Sequence, residues 1–172
     1  MSSPLAFGAM QCGGRADAAQ SMAMFHACHD AGLRHFDTAW IYTDGASETL
    51  VGRFAQTHDI QIATKIGYTG GAGRANLTAQ FDTSRARLNA PIDLLYLHRL
   101  DPETPLQETL ETFANWQTQG HIARIGLSNF AAWQVMKAQS IAQALDTKID
   151  AIQPMYSLVK RPAEVEMLPM AA

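Results

Sequence analysis

Two hydrophobic periods take turns along this chain. Short apolar runs of strand type (33–36, 60–64, 92–97, 124–127 and 151–152) alternate with segments whose apolar residues recur every three or four positions. Each run closes on a polar or ionisable residue: Asp37, Lys65, His98, Ser128-Asn129 and Gln153. Residues 17–31 carry Ala18, Met22, Phe25 and Cys28 on one helical face, open at Asp17 as a cap and stop at Gly32. A second helix is predicted over 104–119. Thr104 and Gln107 have capping-box spacing, Pro105 suits the first turn, Leu106, Leu110, Phe113 and Ala114 share a face, and Gly120 ends it. Further helices follow Ser47, Thr78 and Asn129, each read as an N-cap.

Strand, helix, strand repeated at this length means parallel strands joined by right-handed crossovers. Polar residues at the C-terminal strand ends are how a β/α barrel presents its reacting groups. The expected fold is therefore α/β, an incomplete (β/α)8 TIM barrel of about five βα units out of eight, as one domain over residues 1–172. The 172 residues fall short of the roughly 250 typical of a closed barrel. Five strands cannot close that geometry, so the first and fifth are expected to be open edges through which chains could self-associate. The stretch 67–76, with four glycines, reads as a loop, on either the substrate side or the plain surface.

Composition narrows the partners. The chain is 47% hydrophobic and 17% charged with a net charge of −3, its signs interspersed, so no nucleic-acid or anionic-membrane surface is expected. No apolar run approaches the ~20 residues of a membrane span, and no basic region precedes a long apolar stretch at the N-terminus, which predicts a cytoplasmic protein. Cys12 and Cys28 belong to no Cys-x-x-Cys pair and read as free thiols. Cys28 lies between His26 and His29, which reads as packing rather than metal ligation.

If the first three strands are neighbours, Asp37, Lys65 and His98 point into one mouth and Tyr42 can lean over them. A lysine beside a tyrosine hydroxyl favours the tyrosinate and lowers its pKa, and an aspartate keeps that lysine charged. Such a tyrosine is a general acid, and a neutral histidine can orient a carbonyl oxygen. No side chain supplies hydride, so the set requires a nicotinamide or flavin. Ser128, Asn129 and Gln153 carry hydroxyl and amide groups that could pair with a carboxamide, although Asn129 read alone is more often an ordinary helix cap.

These residues sit in a recognisable order. Asp37-Thr38-Ala39-Trp40-Ile41-Tyr42, Gly45-Ala46-Ser47-Glu48, Ala63-Thr64-Lys65, Leu94-Leu95-Tyr96-Leu97-His98, Gly126-Leu127-Ser128-Asn129 and Gln153-Pro154-Met155-Tyr156 with Arg161 follow one another. On these motifs the chain resembles the N-terminal part of an aldo-keto reductase, most similar to the aflatoxin-aldehyde reductase branch. The resemblance implies Tyr42 as general acid, Lys65 and Asp37 as its tuning pair, and His98 as the guide of the substrate carbonyl. It also implies Ser128, Asn129 and Gln153 as carboxamide ligands, with Gly8, Met10 and Asp37 beside the cofactor. NADPH and a small aldehyde or ketone are the implied cofactor and substrate. Thr43 stands where the family commonly has glycine. The later strands and phosphate-binding loops of the family lie beyond the matched motifs, so the alternative is an inactive fragment or interaction module lacking the cofactor phosphate site.

Overall fold

The computed structural model describes residues 5–172, in which six short strands form one parallel sheet in the order in which they occur in the sequence. They are β1 (Ala6–Gly8), β2 (His35–Asp37), β3 (Gln61–Ile66), β4 (Ile92–Leu97), β5 (Ile122–Ser128) and β6 (Ala151–Gln153). Between them run α1 (Ala18–Asp30), α2 (Ala46–Ala55), α3 (Arg74–Leu88), α4 (Leu106–Thr118) and α5 (Ala132–Ala144), and α6 (Met167–Ala171) follows β6. The sheet curls as a partial (β/α)8 barrel with helices on its convex face.

Strand alternation decides which side chains face which way. Phe36, Ile62, Ile66, Leu95, Leu97, Ile125 and Leu127 are buried in the core with Phe25, Phe54, Leu77, Phe81, Leu110 and Phe113 from the helices. Their strand neighbours Asp37, Lys65, Tyr96, Ser128 and Gln153 take the concave side. Gly126 is required there: a Cβ at this position would fall 2.4 Å from the Tyr96 ring, which lies across the bare backbone.

Six strands, not five, are present. Ala6-Phe7-Gly8 pairs in register with His35-Phe36-Asp37, and Phe7 packs edge-on to Phe25 with ring centroids 5.4 Å apart. A three-residue strand too short to show alternation was missed for that reason. The strand ending at Asp37 is consequently internal, and the sheet edges are β1 and β6.

Capping also differs from expectation. Asp17 does cap α1, accepting from Gln20 N while the Gln20 side chain accepts from Asp17 N. Thr104 forms no box with Gln107; its hydroxyl donates to Asp101 Oδ2 at 2.6 Å, and Pro105 takes the cap position. Ser47, Thr78 and Asn129 do not cap helices either. Helix α2 starts one residue before Ser47 and α3 four residues before Thr78, while α5 is capped by Ala131. Each polar group has a competing partner: the Ser47 hydroxyl donates to Ala9 O, Thr78 to Arg74 O one turn back, and the Asn129 amide to His98 O.

The loop 67–73 leaves the C-terminal end of β3 and is tied across the mouth, because Ala72 N donates to Asp101 Oδ2. His26 and His29 pack edge-on against Phe54 and His58, and both cysteines are free. Among the described residues no group of three or more potential ligands is placed to hold a metal ion, and no helix is long and apolar enough to cross a membrane.

Candidate active site

The strand ends converge on Lys65. Its side chain is completely buried, and Nζ donates to Asp37 Oδ2 at 2.5 Å and to Thr38 O at 2.8 Å. Burial drives the Lys65 pKa down, and the Asp37 carboxylate opposes that fall. Below it lies the ring of Tyr96, with its centroid 5.7 Å from Nζ and its hydroxyl pushed up to about 12, first by burial and then by Asp37.

Tyr42 stands over the other side of the lysine, with Nζ 5.1 Å from its ring centroid. It opens a tight turn, Tyr42–Gly45, in which Thr43 (φ 48°), Asp44 (φ 53°) and Gly45 (φ 91°) are all left-handed. That conformation costs a non-glycine residue about 1–2 kcal/mol. The Thr43 hydroxyl offsets it twice, donating to Cys12 O at 2.7 Å and accepting from Ser47 N at 3.0 Å. The Thr43 side chain thus holds the turn at both ends.

The expected lowering of the Tyr42 pKa is not what the geometry gives. Half-burial and the Asp37 charge push the phenol up to about 12, while Lys65 spends its donors on Asp37 and Thr38. Tyr42 therefore keeps its proton across the physiological range. Such a phenol still gives its proton to an alkoxide, which is a stronger base than tyrosinate.

His98 ends β4 with its ring edge-on to Tyr42, centroids 5.9 Å apart, and against Tyr68 at 4.8 Å. Burial, then Lys65 and Arg99, hold its pKa down at about 4, so the ring is neutral at pH 7. Nδ1 is buried without a hydrogen-bond partner among the described residues. A bare lone pair there is better tolerated than an unpaired N–H, which favours the tautomer with its proton on Nε2, a donor facing the mouth. Arg99 lies 4.6 Å over the Tyr68 ring, and a cavity of about 640 Å³ opens between these residues and Asn129.

On the far flank, Ser128 Oγ donates to Gln153 O, Asn129 Nδ2 reaches His98 O and Ser128 Oγ, and Gln153 Nε2 donates to Asp37 Oδ1 at 3.2 Å. Asn129 is left-handed at φ 59°, which turns its side chain back over His98. The side-chain carbonyl oxygens of Asn129 and Gln153 accept no hydrogen bond among the described residues. Two open acceptors suit the NH2 of a primary carboxamide, and the second N–H of the Gln153 amide, unused among the described residues, is a donor for its C=O, so the residues fit a nicotinamide. Gly8 lies alongside Asp37 in register, and a Cβ added to it would meet no atom within 4 Å. Met10 is half-exposed beyond β1 and joins none of these bonds.

Four contributors were given no role by sequence reading: Tyr96, the Thr38 carbonyl, and the ion pair of buried Glu48 with part-buried Arg87. Tyr96 was legible, since strand period places it on the same face as His98 two residues on. A backbone carbonyl or an ion pair between two helices leaves no local signal.

The aldo/keto reductase family model matches residues 4–172. Aflatoxin B1 aldehyde reductase member 2 of Rattus norvegicus is 34% identical over 171 residues, covering 94% of this chain and 47% of the relative. Aflatoxin B1 aldehyde reductase member 4 of Homo sapiens is also 34% identical, with 52% of its length covered. The crystal structure of the thermostable aldo-keto reductase Tm1743, in complex with the inhibitor epalrestat, superposes with a TM-score of 0.86 at 28% identity, over 95% of this chain and 61% of that one. The chain thus spans about half the length of the curated relatives it matches. With the order of strand ends, the buried Asp37–Lys65 pair and the whole-length match in agreement, the chain belongs to the aldo/keto reductase family.

Proposed function

We propose that this chain carries the proton-handling and nicotinamide-facing part of an NADPH-dependent reductase of small aldehydes and ketones. The observation that carries the reading is the gathering of Asp37 and Tyr42 around the buried Lys65 amine, with His98 edge-on to the Tyr42 ring. Gly8, Met10, Asp37, Ser128, Asn129 and Gln153 would hold the cofactor, which when bound supplies the hydride. His98, neutral and donating from Nε2, orients the carbonyl oxygen toward Tyr42. The Tyr42 hydroxyl then gives its proton to the oxygen as negative charge develops there. Lys65, held by Asp37, places a positive charge behind the ring to stabilise the tyrosinate left behind.

The test is aldehyde-dependent NADPH oxidation by the full chain, with NADPH binding followed by quenching of tryptophan fluorescence. Tyr42→Phe is expected to lower turnover by about 10²–10⁴-fold while leaving NADPH affinity within a factor of about two. Unchanged turnover would remove Tyr42 from the role of acid.

A second reading, an interaction module without turnover, is favoured by the open β6 edge and by Leu158 and Val159, 94% and 97% exposed just after it. A chain that shows no NADPH quench and elutes as an oligomer supports that reading over the first.

A further inference from the structure

Arg87 sits near the end of α3, a helix that contributes none of the strand-end residues of the site, yet it touches the backbone on both sides of Tyr42. Its Nη1 donates to Trp40 O at 2.8 Å, two residues before Tyr42, and the guanidinium lies 5.7 Å from the Trp40 ring centroid. Three residues after Tyr42, Gly45 is so close that a Cβ there would fall 2.2 Å from Arg87 Cζ. The backbone on either side of Tyr42 is thus pressed against one planar group.

Arg87 is fixed in turn. The same Nη1 lies 3.2 Å from Glu48 Oε2, and Glu48 is fully buried. The other carboxylate oxygen accepts from Thr64 Oγ1 at 2.6 Å, one residue before Lys65. Trp40 N donates to Lys65 O at 2.9 Å, which closes the circuit. Glu48, Arg87, Trp40 and Thr64 therefore join the strand that carries the lysine to the turn that carries the tyrosine.

We propose that Arg87 is a positioning residue for Tyr42, setting the phenol's distance from Lys65 through the Trp40 carbonyl and the Gly45 backbone, with Glu48 as its anchor. This rests on the reading of Tyr42 as the acid. A lysine at position 87 could satisfy Glu48 as a point charge, but it has no planar face to lay on Gly45, where Arg87 Cζ, Nε and Nη1 lie closest. A purely structural ion pair needs only the charge, and this difference makes the two roles separable.

The experiment compares wild type with Arg87→Lys and Glu48→Gln in the full chain, labelled with ¹³Cζ-tyrosine and with the Tyr42 signal assigned through Tyr42→Phe. In folded Arg87→Lys the Tyr42 signal is expected to move and its titration midpoint to fall toward that of free tyrosine, as water reaches the loosened turn. The Tyr96 signal, on the strand floor, should stay in place. Turnover should drop about tenfold or more with KM within about threefold, because a displaced acid harms the proton step rather than binding. Glu48→Gln keeps the Thr64 bond but loses the anchoring charge, and should move the same signal in the same direction by less. If Arg87→Lys folds with Tyr42 signal, titration and kcat all as in wild type, the proposal is overturned. Should Arg87→Lys fail to fold, an unmoved Tyr42 signal in Glu48→Gln overturns it as well. A wild type without turnover refutes the reading of Tyr42 as acid, while the resonance comparison still decides the clamp.

Discussion

On one flank of the mouth, β2 to β4, the charged groups pair with one another: two Lys65 N–H groups end on Asp37 and Thr38, and the Glu48 carboxylate oxygens end on Thr64 and Arg87. On the other flank, β5 and β6, Asn129 and Gln153 hold their amide nitrogens inward and leave their carbonyl oxygens open. The charged groups of the first flank are thus paired with one another, although His98 Nδ1 and Trp40 Nε1 are buried without a partner among the described residues, whereas the second flank leaves two acceptors open. Paired charges suit groups whose relative positions must not change during a proton transfer. Unspent hydrogen-bonding capacity suits groups that take up a molecule from solution.

Substitutions should break this contrast unequally. Lys65→Met strands the Asp37 carboxylate in the wall of the site and is expected to cost about 3 kcal/mol, a fall of roughly 10 °C in Tm by calorimetry. Adding Asp37→Asn to it should restore part of that loss, and a double variant no more stable than the single would mean that the pair is not coupled.

The next effect is a pH dependence. His98 holds a pKa of about 4 in the folded chain against 6.5 for an ordinary histidine, so the fold favours the neutral ring. Its contribution is complete above about 6.5 and is lost as pH falls toward 4, because the unfolded chain binds the extra proton in that window. Denaturant midpoints measured at steps down this range should fall less steeply in His98→Gln than in wild type, and parallel curves would contradict the assignment. The smallest effect belongs to the open flank. Gln153→Ala removes one 3.2 Å bond to a carboxylate that keeps its Lys65 partner, so stability should drop by under about 1 kcal/mol. NADPH affinity in a quench titration should weaken several-fold. A stability loss as large as that of Lys65→Met would erase the distinction between the flanks.

Much of this site was legible in the chain because parallel strands export their ends: each apolar run stops where the polar residue begins, and Asp37, Lys65, His98, Ser128 and Gln153 all sit at such stops. What stayed hidden was non-local or too short to carry a period. The strand Ala6–Gly8 has three residues, and its identity rests on pairing with His35–Asp37. Ser47, Thr78 and Asn129 had the composition of caps, but partners far along the chain or one turn back claimed their side chains. The direction of the Tyr42 shift was misjudged for a similar reason. Burial of the phenol, and then the Asp37 charge, push its pKa up, and Lys65, paired with that same carboxylate, does not outweigh them.

The alternation along the strands has one more consequence, for how such a gene can change. Asp37 follows Phe36, Lys65 lies between Thr64 and Ile66, His98 follows Leu97, Ser128 follows Leu127 and Gln153 follows Ile152; of these, Phe36, Ile66, Leu97 and Leu127 are buried beneath the helices. Losing one codon within β3, β4 or β5 would exchange the two faces from that point to the strand end, driving a charge or amide under the helices and an apolar side chain into the mouth. The same loss between Gly70 and Gly73 falls in a loop where no such exchange exists. Insertions and deletions in this sheet are therefore confined to the connections, and the spacing between each reacting residue and its buried neighbour is the part of the sequence least free to drift.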